Sequence, residues 1–137
     1  MEQRVSFITL AVADLSATRR FYVDGLGWEP TFEQDDEVLM FEVAHKVVLS
    51  LWVERGFEEE VGPIRRGSGL SPITLAHNLA TTAEVDQVLG DARAAGAQEV
   101  TDAVPREWGG YTGYFADPDG FRWEVAHNPG PIGQAVL

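Results

Sequence analysis

The sequence contains no cysteine. That excludes disulfides, thiolate metal sites and a cysteine nucleophile, and it accords with a cytoplasmic protein. No apolar run approaches the roughly 18–20 residues that a membrane-spanning helix requires. The N-terminus has no basic stretch leading into an apolar one, so no secretory signal is expected. Positive charge is scarce: 10 Lys and Arg stand against 22 Asp and Glu, a formal net charge of -12. Nucleic-acid binding needs a basic face, and this balance argues against one. An acidic surface attracts cationic small molecules and keeps a chain soluble. There is no G-x-S-x-G elbow and no phosphate loop, and Gly109-Gly110 and Gly67-Ser68-Gly69 read as ordinary loop glycines.

What is present suffices for a core. The chain has 137 residues, 45% of them hydrophobic, which fits one ordinary domain or two small packed modules. Residues 5–12 alternate, with Ile8, Leu10 and Val12 on one face. Asp14 is placed to cap a following helix whose inner stripe is Leu15, Thr18, Phe21 and Tyr22, ended at Gly25 or Gly27. Strands are expected at 28–34, 37–43 and 47–53. In the last, Val47, Leu49, Leu51 and Val53 alternate with Val48, Ser50 and Trp52. Residues 54–70 are rich in glycine and mixed charge without a period, and they read as a linker.

The pattern then restarts. Residues 71–79 read as a strand, Thr81 and Glu84 as a capping box, and Val85, Val88, Leu89 and Ala92 as the stripe of a helix ending near Gly96. Strands are expected at 97–104, 110–116 and 121–128, and the tail from Pro129 to Leu137 carries no clear signal. The predicted architecture is α+β: two βαβββ modules, 1–58 and 68–130, around a linker at 59–67, with a tail at 131–137. Asp117-Pro118-Asp119-Gly120 forms the turn of a hairpin, after which Trp123 and Val125 point one way and Arg122 and Glu124 the other.

That turn, the aromatic that follows and Glu124 on the last strand resemble the C-terminal signature of the vicinal oxygen chelate superfamily. This group includes glyoxalases, extradiol dioxygenases, fosfomycin-resistance enzymes and bleomycin-resistance proteins. Ile8 to Leu15, with Arg20-Phe21-Tyr22 and Leu26-Gly27 behind it, resembles the family's opening strand and helix. The resemblance covers about residues 5–128. It implies two modules closing a concave half-barrel cavity and pairing of chains as homodimers.

The resemblance also implies a divalent metal held by His or Gln, Glu, His and Glu. Those positions fall here on Phe7, near Ser50, on Pro72 and on Glu124, so only Glu124 matches. Phenylalanine and proline side chains cannot coordinate a cation, and a serine hydroxyl is a weak ligand. No metal or other cofactor is therefore expected. His45, His77 and His127 are dispersed and read as hydrogen-bonded core or edge residues.

Phe7, Thr9, Ser50, Trp52, Pro72, Thr74 and Glu124 are expected to line the cavity, with Trp108 and Tyr111 at its entrance. Which of Tyr111 and Tyr114 points inward is left open by the turn register. Aromatic walls with few polar anchors suit a flat, largely apolar ligand. The pattern resembles the metal-free branch, in which a cavity at a dimer interface sequesters an antibiotic. The reading that follows is a homodimeric small-molecule binder, with no nucleic-acid or membrane partner. Two alternatives stand beside it. One is a lyase, isomerase or dioxygenase with displaced metal ligands, or with Glu124 as general base. The other is a module whose aromatic face serves assembly.

Overall fold

The computed structural model describes every residue from Met1 to Leu137. These form two compact units, Met1–Ser68 and Gly69–Leu137. Each is built on one four-stranded mixed sheet.

The N-terminal unit runs β1 (Phe7–Val12), α1 (Leu15–Arg19), β2 (Phe32–Gln34), β3 (Val38–Ala44), β4 (Val47–Val53) and α2 (Glu54–Glu60). Its sheet order is β1-β4-β3-β2, with β1 parallel to β4 and the other pairs antiparallel. The parallel pair needs a crossover, and α1 begins it. Asp14 caps α1 as expected, its Oδ1 accepting from the Ala17 N–H at 3.0 Å. After Arg19 the helix widens into a π-helical turn, Arg20–Gly25, in which Leu26 N–H donates to the Phe21 carbonyl at 2.9 Å. In that turn the adjacent Phe21 and Tyr22 are both buried. Gly27, at φ 72, then turns the chain away. The side of the sheet facing α1 carries Leu10, Val12, Leu39, Phe41, Leu49 and Leu51, all buried.

Two expectations change in this unit. Residues 28–31 are not strand. Trp28 turns inward, its ring 5.2 Å from both Tyr22 and Phe41, and this aromatic packing outweighs strand pairing. The stretch read as linker opens with α2, because Glu54 to Glu60 continues directly from β4 and folds over it. Gly56 lets this helix approach closely, since a Cβ there would lie 2.5 Å from the Trp52 Nε1.

The C-terminal unit runs β5 (Thr74–Asn78), α3 (Thr82–Ala94), β6 (Val104–Pro105), β7 (Tyr111–Ala116), β8 (Arg122–His127) and α4 (Pro131–Gln134). Its order, β5-β8-β7-β6, repeats the first, with β5 parallel to β8. Thr81 and Glu84 form the expected capping box. Val85, Leu89 and Ala92 are buried against the sheet. A Cβ on Gly113 would stand 2.5 Å from the Leu89 Cδ1, which fixes the side on which α3 packs. Phe115 and Trp123 stack on that side at 6.1 Å and 9°. The hairpin turn is held by buried Asp117, whose Oδ1 accepts from the N–H groups of Asp119 and Phe121 at 3.0 and 2.9 Å.

Strand β5 is shorter than 71–79 because pairing with β8 starts only at Thr74. The strand expected at 97–104 is mostly irregular. It contributes an isolated bridge from Gln98 to Ala116 and the two residues of β6. Glu99, at φ 50, interrupts it with a conformation that extended chain does not allow. The tail holds α4, started by Pro131.

Candidate functional site on the far face of the C-terminal sheet

Directly paired residues of neighbouring strands share a face. In the C-terminal unit the face turned away from α3 therefore carries Thr74 beside Arg122, Ala76 beside Glu124, Tyr114 beside Glu124, and Thr112 beside Ala126. Several of its polar groups are linked around Tyr114. The Tyr114 hydroxyl donates to Glu124 Oε1 at 2.8 Å. Arg106 Nε donates to the buried Thr112 Oγ1 at 2.6 Å, and its guanidinium stands 5.9 Å from the centre of the Tyr114 ring. Thr101 Oγ1 accepts the Tyr114 N–H at 2.9 Å. Burial raises the Tyr114 phenol above its ordinary pKa, and the bond to Glu124 raises it further.

Beside this network lies a cavity of about 530 Å³ lined by Leu70, Thr74, Glu99, Val100, Thr101, Tyr114 and Arg122. A volume of this size lies in the range of small-molecule sites, which run to roughly 300–1,000 Å³. Arg122 forms an ion pair through Nη2 with Glu99.

The expected site residues distribute as follows. Phe7, Thr9, Ser50 and Trp52 all lie on the face of the N-terminal sheet turned away from α1, with Thr9 directly beside Ser50. Phe7 is exposed, Ser50 is buried, and the Trp52 indole is engaged. Its Nε1 donates to Glu37 Oε1 at 2.7 Å, and its ring meets Phe57 of α2 edge-on at 6.1 Å. Glu124 and Thr74 lie on the far face of the C-terminal sheet. Pro72 precedes β5 and is outside the cavity lining. Trp108 sits exposed in the turn before β7, folded back over Gly110.

Tyr111 is a correction. It lies opposite His127, on the helix side, and its hydroxyl donates to Asp86 of α3 at 2.8 Å. That bond raises its pKa. Tyr114, three residues on, takes the far face, because side chains alternate along a strand. His127 Nδ1 lies 3.1 Å from the Leu79 carbonyl, so this half-buried histidine of a central strand has a backbone partner.

Arg106, Glu99, Thr101, Leu70 and Val100 were not among the expected site residues. Leu70 and Arg106 come from stretches without a periodic signal, and Glu99, Val100 and Thr101 from a stretch read as strand that is irregular. Arg122 was within reach, since its parity matches Glu124.

The donor set does not fit the metal that the resemblance implies. Strand pairing sets Thr9 beside Ser50 and Ala76 beside Glu124. Two residues before those partners stand Phe7 and Thr74, so Thr74 and not Pro72 takes the position matching Phe7. Neither phenylalanine nor a lone threonine hydroxyl replaces a histidine. Glu124 already accepts the Tyr114 hydroxyl, and no group of three or more His, Cys, Asp or Glu side chains gathers in the protein. No helix is long and apolar enough to cross a membrane.

Residues 4–125 match the model of the Glyoxalase/Bleomycin resistance protein/Dioxygenase superfamily. No curated protein matches the sequence. Among solved structures, a glyoxalase-related enzyme from Fulvimarina pelagi is 38% identical, with a TM-score of 0.82 over 93% of this chain and 90% of that one. A glyoxalase/bleomycin resistance protein/dioxygenase from Nocardioides is 24% identical at a TM-score of 0.77, covering 95% and 89%. Lactoylglutathione lyase from Agrobacterium tumefaciens is 22% identical at a TM-score of 0.70, covering 93% and 96%. The last two similarities concern the fold alone.

Proposed function

This chain belongs to the Glyoxalase/Bleomycin resistance protein/Dioxygenase superfamily, and from that premise we propose that it binds a planar, largely apolar, antibiotic-like small molecule without transforming it. The observation that carries this reading is the cavity on the far face of the C-terminal sheet. Leu70, Val100 and the Tyr114 ring supply apolar wall, and Thr74, Thr101 and Arg122 supply a few polar points, the composition of a small-molecule site. An aromatic ligand stacked on Tyr114 gains about 0.5–1.5 kcal/mol beyond the area it buries.

Titration with a panel of aromatic compounds by calorimetry tests this. Tyr114→Ala is expected to weaken binding at least tenfold, about 1.4 kcal/mol, and mass spectrometry should recover the ligand unchanged. A panel with no binder, or undiminished affinity in Tyr114→Ala, contradicts the proposal. We further propose a homodimer. The exposed Phe7 and Phe32 support it as apolar surface that a second chain can cover. Light scattering that gives a monomer at micromolar concentration contradicts it.

A second reading has its own support. The Tyr114–Glu124 pair joins a phenol of raised pKa to a carboxylate at 2.8 Å, an arrangement suited to proton transfer. The 38%-identical structure is described as an enzyme. On this reading Glu124 takes a proton from a bound carbon acid. Turnover of a bound compound, lost in Glu124→Gln with binding retained, establishes it.

A further inference from the structure

An arginine fork offers five N–H donors, and its edge formed by Nε and one Nη matches the two oxygens of a carboxylate. In Arg122 that edge is half used. Nη2 is paired with Glu99, while Nε is buried and has no partner. The Arg122 side chain is only 16% exposed, so bulk solvent reaches little of it. Glu99 is the opposite kind of residue. Its side chain is 66% exposed, and its backbone sits at φ 50 in the segment between α3 and β6. Released from the pair, Glu99 would be solvated at once, whereas Arg122 would be left as a buried charge. The pair is thus lopsided: the arginine needs an anion there, and the glutamate does not need the arginine.

Both residues line the same cavity as the Tyr114 ring. Thr74 lies directly beside Arg122 in the strand register. Resting on the ligand-binding reading above, we infer that the molecule this cavity takes is an aromatic carboxylate, held side-on by Arg122 Nε and Nη2, and that Glu99 is the counter-ion it displaces. The carboxylate supplies the second oxygen that Glu99 does not bring to Nε. The ring attached to it reaches Tyr114, Leu70 and Val100. Arg106, on the far side of the Tyr114–Thr112 pair, is committed to Thr112 and leaves Arg122 as the cation for the ligand.

Calorimetry with 2-naphthoate and its neutral isostere 2-naphthamide tests the inference. In the wild type the acid is expected to bind at least tenfold tighter than the amide. Arg122→Met should reduce the acid to the level of the amide. Glu99→Gln should tighten the acid several-fold and affect the amide much less, since it removes the anion that competes for Arg122. Equal binding of acid and amide by the wild type, or no gain for the acid in Glu99→Gln, overturns the inference while the ligand-binding reading stands. If neither compound binds, the inference falls, and the aromatic panel decides the ligand-binding reading. Inorganic phosphate displacing 2-naphthoate at comparable concentration overturns the carboxylate assignment in favour of a general anion site. Should Arg122→Met fail to fold, the Glu99→Gln comparison decides alone.

Discussion

The two units share strand order and pairing sense, and both bury the side of the sheet that faces their helix. Their other faces differ. In the N-terminal unit that face offers Phe7, Phe32, Met40 and Trp52, with α2 folded over the Trp52 end. In the C-terminal unit it offers Thr112, the hydrogen-bonded pair Tyr114 and Glu124, and Arg122 at the border of a cavity. A hollow in the N-terminal unit lies beside Asp14, Asp36 and Arg55, at the start of α1. One topology thus carries two surfaces. Pairing and the buried side are fixed by alternation, and what the far face does is set by the few side chains that alternation leaves free.

The strongest way to break the comparison is to ask whether both buried sides matter equally. Tyr22→Ala removes a fully buried ring from the N-terminal core and is expected to cost about 3–5 kcal/mol. Leu89→Ala in the C-terminal unit is expected to cost about 2–5 kcal/mol. Urea denaturation checks both, and a midpoint unchanged in either variant shows that unit's core to be dispensable.

Next is the cover on Trp52. Gly56→Ala forces a methyl group against the indole and should cost about 1–3 kcal/mol. The Trp52 fluorescence should shift with it, and an unchanged spectrum and stability would mean that α2 does not rest there.

The helix caps sharpen the comparison further. Thr81→Ala removes the hydroxyl that accepts from the Glu84 N–H and donates to its carboxylate, leaves the backbone arm in place, and is expected to cost about 1 kcal/mol. Asp14→Ala removes one bond and should cost no more than that. A larger loss for Asp14→Ala would reverse the ranking.

A comparable effect is expected at Tyr114. Tyr114→Phe loses one hydrogen bond, about 1 kcal/mol at neutral pH. Its raised pKa makes a signed prediction. The folded protein holds the phenol protonated longer than the unfolded chain does. The stability tied to this group is therefore complete below the ordinary phenol value of about 10, and it is lost as pH rises through the folded value. Denaturation between pH 9 and 11 should show this alkaline loss in the wild type and less of it in Tyr114→Phe. An identical pH profile in the two proteins contradicts the assignment.

Much of the scaffold was legible because it is periodic or punctuated. Asp14, the Thr81–Glu84 box, Gly27 and Gly96 mark helix ends through local chemistry, and the alternation in β4 and β8 assigns faces without reference to the rest of the chain. Trp28 was misplaced because a strand pattern cannot announce that a ring will pack into a helix-side cluster. The segment from Glu54 was misjudged because its helix is short and depends on one glycine meeting one indole. Of the candidate site, Glu124 was legible from its turn and strand. The choice of Tyr114 over Tyr111 was not, since it rests on a register that pairing with β8 fixes. Arg106 and Glu99 come from irregular chain, where neighbours are set by tertiary contacts alone.

The most direct test of the central claim, that the C-terminal far face holds the ligand, is to record backbone amide and side-chain NMR shifts during titration with 2-naphthoate. The account predicts saturable shifts centred on Thr74, Thr101, Tyr114 and the Arg122 Nε–H. Shifts confined to Phe7, Phe32, Ser50 and Trp52, with Tyr114 and Arg122 unmoved, would contradict it.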